Sequence, residues 1–184
     1  MDQQLSESVR HALKEQPTSD FGAFMINQGE AFIASTRVND LANGSSEYVY
    51  LENTENVDYD VAVLPRSSGR ADIDISFNAT ENTAGTDLSV NNLKSGSDNT
   101  FGGIARRTGT DSDYTHGDTF INDFVPGSGQ GANIGGEVIG DISFTIDSGD
   151  NKLLELRNES GGQVSRIGMN IVILRIDGEY KTSG

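Results

Sequence analysis

The chain contains no cysteine and no tryptophan, and it has only three prolines and four lysines among its 184 residues. Without cysteine it can form neither a disulfide nor a zinc–thiolate site, and it has no thiol nucleophile. A domain of this length buries about two thirds of the surface that its unfolded chain exposes, so it needs no such cross-link to fold. We expect no membrane-spanning helix, because no apolar run approaches the roughly 20 residues that a bilayer requires.

Negative charge, by contrast, is in large excess. Asp and Glu together number 28 against 13 Lys and Arg, which gives a formal net charge of −15. These charges repel one another in dilute buffer, but at about 1 M salt the Debye length is only about 3 Å and most of the repulsion disappears. The composition resembles that of proteins from extreme halophiles, and the alternative is an acidic protein from an ordinary medium. Direct nucleic-acid binding is disfavoured, because phosphate binding needs clustered Lys and Arg.

Residues 2–16 carry the one convincing helical pattern. Asp2 is a suitable N-cap, apolar side chains follow at helical spacing, and Pro17 ends the helix. The apolar stripe consists of Leu5, Val9, Ala12 and Leu13. A helix of four turns with one such stripe is marginal alone in water. We therefore expect residues 1–20 to form a helical assembly arm that docks on its own domain or on a neighbouring subunit. Membrane contact is the alternative, which the low basic content of the arm does not support.

From Phe21 onward the apolar residues recur with a period of two. Ile73, Ile75 and Phe77 alternate with Asp72 and Asp74, which predicts a strand at 71–80 with the apolar side chains inside. The last strand, around 167–174, is apolar on both faces, as expected for a central strand. Further strands are predicted at 30–38, 46–53, 59–65, 117–125, 136–146 and 152–158, and long polar loops at 81–100 and 126–136. Residues 21–184 are thus predicted to form one all-β domain, an antiparallel β-sandwich or barrel of about eight strands.

Catalytic residues are scarce. His11 and His116 are the two histidines, and neither belongs to a recognisable triad pattern, so we predict that the protein is not an enzyme and has no cofactor. The acidic run at 111–118 has alternating oxygen donors around a glycine. Asp111, Asp113 and Asp118, with His116 beside them, are therefore candidate ligands for Ca²⁺, Mg²⁺ or Na⁺, and the alternative is a plain acidic loop.

The chain also has one adjacent pair of arginines and three glycosylation sequons. Arg106 and Arg107 are the one adjacent basic pair, and we expect them to form ion pairs with a carboxylate of a neighbouring subunit or to lie in solvent. Sequons occur at Asn43, Asn78 and Asn158, and they would be glycosylated only if this surface meets a glycosylating machinery.

The second half of the chain has a recurrent layout of strands, a long Asn-rich loop and turns. Its segments are TAGTDLSVNNLKSGSDN (83–99), GDTFINDFVPGSGQ (117–130), FTIDSGDNKLLELRNESGG (144–162) and RIGMNIVILRIDGEY (166–180). This layout resembles the jelly-roll structural proteins of prokaryotic virus particles. With the acidic composition and the helical arm, the chain is most similar to the small single jelly-roll capsid proteins of icosahedral haloarchaeal viruses. The resemblance covers roughly residues 30–180.

The resemblance implies a jelly roll that self-assembles into oligomeric capsomers, which tile a shell over an internal membrane. The partners would be further copies of the chain and other virion proteins. The protein would be located in the virion, and in the host cytoplasm during assembly. One alternative is a turret, decoration or tail protein of a tailed haloarchaeal virus. Another, of a different class, is a carbohydrate-binding β-sandwich on a halophile surface, which would need exposed rings such as those of Tyr48, Tyr50 and Tyr114.

Overall fold

The computed structural model describes residues 24–127 and 142–176, which form two six-stranded antiparallel sheets and one small two-stranded sheet. The first sheet contains β1 (Ala31–Ser35), β2 (Val38–Leu41), β4 (Asp58–Ser67), β8 (Asn91–Asn92), β12 (Ile142–Ile146) and β14 (Val164–Ile176). The second sheet contains β3 (Ser46–Glu52), β5 (Ala71–Phe77), β7 (Thr86–Asp87), β9 (Ile104–Thr108), β11 (Asp118–Val125) and β13 (Asn151–Asn158). The small sheet pairs β6 (Thr80–Glu81) with β10 (Tyr114–Thr115). A short helix at 24–28 precedes β1, and a 3-10 turn spans Asp111–Asp113.

Eight of these strands are paired as in a jelly roll. Strands of the first half of the chain lie against strands of the second half in nested order: β1 on β14, β3 on β13, β4 on β12 and β5 on β11. The four pairs are distributed over two sheets that pack face to face around one hydrophobic core. This nested pairing in a double sheet is the jelly-roll arrangement. The predicted all-β sandwich of about eight strands is therefore confirmed. Within the residues described, no helix is long and apolar enough to cross a bilayer.

The central position predicted for the last strand is confirmed. Strand β14 lies between β4 and β1, and its inward side chains are almost completely buried. These are Ile167, Met169, Ile171 and Ile173. The register predicted for β5 is also correct over most of its length, because Ile73 and Ile75 are buried in the core while Asp72 and Asp74 are half-exposed.

Phe77 is a correction to that prediction. Its side chain is half-buried and lies outside the main core, with its ring 5.8 Å from the ring of Phe120 on β11. Phe77 is the last residue of β5 and lies beside a bulge between Thr119 and Ile121 of β11. A bulge bends its strand and re-aims the neighbouring side chains, so the inward alternation does not extend to this end of the pair.

The long segment 78–117, between β5 and β11, closes one side of the sandwich. Its strands β9 and β7 extend the second sheet beyond β3, and β8 extends the first sheet beyond β1. The predicted loop at 81–100 therefore contains two short strands, and β9 was not predicted. On the opposite side the sheets end at β11 and β12, without a further strand among the residues described.

Three further boundaries bear on the predictions. The strand predicted at 30–38 is broken at Thr36 and Arg37, so that β1 and β2 are separate. Of the strand predicted at 136–146, the part 142–146 is a strand, and 136–141 lies outside the described residues, as do residues 128–136 of the predicted loop. The helical arm at 2–16, with Leu5, Val9, Ala12 and Leu13, also lies outside them.

Candidate functional site

The outer face of the second sheet carries a cluster of tyrosines beneath the segment 78–117. Tyr48, Tyr50 and Tyr114 are each 4% exposed. The rings of Tyr50 and Tyr114 stack with their centroids 5.7 Å apart, and Ala79 and Leu153 complete the cluster. Tyr48 and Tyr50 face outward on the sheet, but Tyr114 of β10 packs against them. They therefore offer no exposed ring to a sugar, and the carbohydrate-binding alternative loses the platform that it required.

A polar network borders the tyrosine cluster. The Tyr48 hydroxyl donates to Asp111 at 3.0 Å, and its oxygen lies 3.3 Å from Glu155 Oε1. His116 Nε2 lies 2.8 Å from the same Asp111 oxygen, and the Ser46 hydroxyl donates to Glu155 at 2.6 Å. Hydrogen bonds from His116 and Tyr48 lower the pKa of Asp111. Ser46 donates to the Glu155 carboxylate and not to the His116 imidazole, so this network lacks a nucleophile–base pair. The hydrogen bond between Tyr48 and Asp111 ties the 3-10 turn to the sheet.

The three aspartates predicted as metal ligands have separate partners. Asp111 is bound to Tyr48 and His116, and Asp113 Oδ2 accepts a hydrogen bond from Thr108 at 2.7 Å. Asp118 is exposed at the start of β11. Over residues 24–127 and 142–176, no three His, Asp or Glu side chains are grouped so that they could hold a metal ion. Asp111, Asp113 and Asp118 are therefore not brought together as one group of ligands in the described structure.

Arg106 and Arg107 have carboxylate partners within their own chain. Arg106 Nε lies 3.0 Å from Asp87, and its Nη1 is paired with Glu81. Arg107 Nη1 lies 3.4 Å from Glu47. The prediction had placed such partners on a neighbouring chain or left the arginines in solvent. Because Glu81 and Asp87 belong to β6 and β7, the pairs of Arg106 connect strands within the long segment, whereas the Arg107–Glu47 pair joins that segment to β3.

Glu47 is the buried member of these pairs. Its side chain is almost completely buried at one end of β3, beside an open cleft of about 690 Å³ that Arg37 and Arg107 also line. Burial raises the pKa of Glu47 to about 7, although the charge of Arg107 opposes that shift. No sequence pattern marks this carboxyl, because a single Glu in an amphipathic strand is expected in solvent.

The open edge of the second sheet exposes two phenylalanines. Phe120 is 41% exposed and Phe124 is 56% exposed, and both belong to β11. The ring of Phe120 contacts that of Phe144 on β12 edge-on, at 5.9 Å. Among the described residues the other large exposed apolar side chain is Leu93, which lies in the long segment 78–117. Among the described residues no further strand pairs with β11 on its outer side, and an edge strand presents unpaired N–H and C=O groups. We therefore take β11 with Phe120 and Phe124 as the candidate assembly edge.

The sequons differ in accessibility. Asn158 is completely buried, and its side-chain amide donates to the carbonyls of Leu41 and Gly162 at 2.9 and 2.8 Å. A glycan at Asn158 would require these bonds to break. Asn43 and Asn78 are exposed.

Comparison with known proteins adds no relative to this description. No protein-family model matches the chain, and no curated protein matches it significantly.

Proposed function

We propose that this chain is a structural protein of a halophilic virus particle, a jelly-roll subunit that self-assembles into oligomeric capsomers. The observation that carries the proposal is a jelly roll that is closed on one side and has two exposed phenylalanines on the edge strand of the other. Viral capsid domains use this fold, but so do lectin domains and cupins. The assignment therefore depends on what the surfaces can do.

The assembly edge is suited to a protein partner. Phe124 points away from the core on a strand that has no further strand beside it among the residues described. Fully burying such a side chain contributes about 1.5–3 kcal/mol, so even the exposed part of one ring would strengthen a subunit contact appreciably. A single exposed apolar residue is ordinary on a soluble protein, but two on one open edge strand mark a contact surface.

The net charge of −15 supports a particle that is built in concentrated salt. Identical subunits with this charge repel one another in dilute buffer and cease to do so when the Debye length falls to about 3 Å. The partners are further copies of the chain and other virion proteins, and residues 1–20 supply an additional contact. The protein acts in the virion and is assembled in the host cytoplasm. The same surfaces would suit a turret, decoration or tail protein, which the symmetry of the particle would distinguish.

Replacement of Phe124 by Ser tests the proposal, and Leu93→Ser is the matched control at an exposed apolar residue elsewhere. We expect Phe124→Ser to lower the subunit association constant by about 5–30-fold, which corresponds to about 1–2 kcal/mol of lost apolar burial. Leu93→Ser should associate like the unmodified chain. Sedimentation velocity at about 3 M KCl, where screening is complete, measures both. Equal association of both variants and the unmodified chain would remove the assembly edge from the proposal.

A further inference from the structure

A second surface is formed by arginines that the sequence keeps far apart. Arg37, Arg66 and Arg166 line one cleft of about 350 Å³, at the end of the sandwich where β1 and β4 finish and β14 begins. Gly168 also lines the cleft. A Cβ at this position would lie 2.2 Å from the backbone oxygen of Thr36, so a larger residue does not fit there without a shift of the backbone. Among the described residues, no Asp or Glu lines the cleft. It is therefore a concentration of positive charge on a strongly acidic protein.

Within the described part of the chain, these arginines also lack the ion pairs that most of the other cations have. Ten basic residues lie in the described part of the chain, and six of them pair with a carboxylate of the same chain. The remaining four are Arg37, Arg66, Lys94 and Arg166, and three of these line the cleft. Arg37 Nε donates to Asn39 at 3.3 Å, and no carboxylate of the described residues forms an ion pair with it. Like charges that line one cleft repel one another, and an anion bound between them would reduce the repulsion.

A suitable anion is present at the opposite end of the same sandwich. The turn between β12 and β13 contains Asp147 and Asp150, and all of its residues are exposed. The turn is held by hydrogen bonds from Asp150 N to Asp147 O and from Gly149 N to Asn53 O, both at 3.0 Å. Its conformation is therefore fixed before any contact, which lowers the entropic cost of binding. Within the described residues, the Asp147 carboxylate has neither a hydrogen bond nor an ion pair.

The strand register places the cleft and the turn at opposite ends. On β4, Ser67 is opposite Ile167 near the cleft, whereas Tyr59 is opposite Ile146, immediately before the turn. The two surfaces cannot meet within one chain, but they can meet between two copies that pack head to tail. Such a heterologous contact uses a different surface on each partner and generates rings when the rotation closes. Arginine suits it because its planar guanidinium can bind a carboxylate in a bidentate manner.

We propose that the arginine cleft binds the acidic turn at Asp147–Asp150 of a second copy of this chain. This inference deepens the proposed function and rests on it, since it supplies one of the contacts by which the subunits would assemble. A phosphate polymer is the less suitable occupant. It would approach a protein of net charge −15, and salt weakens phosphate contacts steeply. Pairs that are buried between two subunits are screened much less.

Charge reversal tests the contact from both sides. Arg166→Glu and Asp147→Arg change exposed side chains, so both variants should fold, which circular dichroism will verify. Each should lower the association constant at least tenfold in sedimentation velocity at about 3 M KCl. The double variant Arg166→Glu/Asp147→Arg restores opposite charges and should recover at least tenfold. Lys94→Glu is the matched control, since it makes the same change of charge at an exposed and unpaired cation and should leave association unchanged.

The possible results separate this inference from the proposed function. If the unmodified chain associates and both single variants associate equally well, the arginine contact is refuted while the capsid proposal stands. Failure of the double variant to recover would refute the turn as the occupant. A phosphate partner would be shown by a third result. The unmodified chain would bind a short DNA duplex or anionic vesicles, and Arg166→Glu would abolish that binding without changing assembly. A chain that stays monomeric at every concentration in this salt overturns both proposals.

Discussion

Tyr48, on the outer face of the second sheet, and Tyr114, on β10, are neighbours, but only the Tyr48 hydroxyl has hydrogen-bond partners among the described residues. Their rings lie 6.2 Å apart and both side chains are buried. The Tyr48 hydroxyl lies within hydrogen-bond distance of Asp111 and Glu155. The Tyr114 hydroxyl is buried and has no hydrogen-bond partner within the part of the chain that the structure describes. Removing one oxygen atom from each ring should therefore change the free energy of unfolding in opposite directions.

The expected magnitudes follow from these partners. A hydrogen bond to a charged group contributes about 1.5–3 kcal/mol, so Tyr48→Phe should destabilise the protein by about that amount. A buried polar group without a partner costs about 1–3 kcal/mol, part of which Tyr114→Phe recovers, so this variant should be neutral or more stable by about 1 kcal/mol. The two phenylalanine variants should then differ by about 1.5–4 kcal/mol, although each keeps its ring and its packing.

Urea unfolding in molar salt, followed by far-UV circular dichroism, measures this difference at pH 7. Each variant is the control for the other, because the substitution is the same and the two sites belong to one cluster. A shared loss of stability, with both variants less stable by more than about 1 kcal/mol, would refute the environment assigned to Tyr114. It would also contradict the packing of Tyr114 in the segment 78–117 against Tyr48 of β3.

The remaining predictions concern the core, a buried carboxyl and the arm. Ile75→Ala should cost about 2–5 kcal/mol and Phe77→Ala only about 1–2 kcal/mol, because Phe77 is half-buried; equal losses in urea unfolding would contradict the register of β5. Glu47 has a pKa raised to about 7, so its contribution to stability is complete below its ordinary value near 4.5 and is lost as the pH rises through 7. Glu47→Gln should accordingly be more stable than the unmodified chain by about 1–2 kcal/mol at pH 8, a magnitude that allows for solvent screening at the open cleft. An equally large gain at pH 4 would refute the raised pKa of Glu47. Deletion of residues 1–17 should leave a folded β domain that assembles poorly, and normal assembly in sedimentation velocity would show that the arm is not a contact.

Much of the fold could be predicted because its strands have strong patterns. Ile73 and Ile75 alternate with aspartates, and the last strand is apolar on both faces, so both the period and the central position can be recognised in the sequence. Strand β9 could not be recognised, because one small side chain, Ala105, reaches the core and two arginines follow it. Its place in the sheet depends on pairing with β3 and on ion pairs to distant carboxylates.

The candidate surfaces were harder to predict than the fold. Arg37, Arg66 and Arg166 are 29 and 100 residues apart in sequence, so no local pattern could show that they line one cleft. The tyrosines were expected on the surface in the carbohydrate-binding alternative, and that side of the sheet does face outward. Tyr48 and Tyr50 are buried because the segment 78–117, which carries Tyr114, folds back over them, and the polar sequence of that segment conceals this contact.

Electron microscopy of the purified, unmodified chain shows whether the subunits self-assemble in concentrated salt. At about 3 M KCl, where repulsion between the acidic subunits is screened, we expect closed oligomers of uniform size. Dilution of the same sample to about 0.1 M salt, where the Debye length is about 10 Å, should dissociate them. A monodisperse monomer at about 3 M KCl, at every protein concentration, would mean that the chain does not self-assemble.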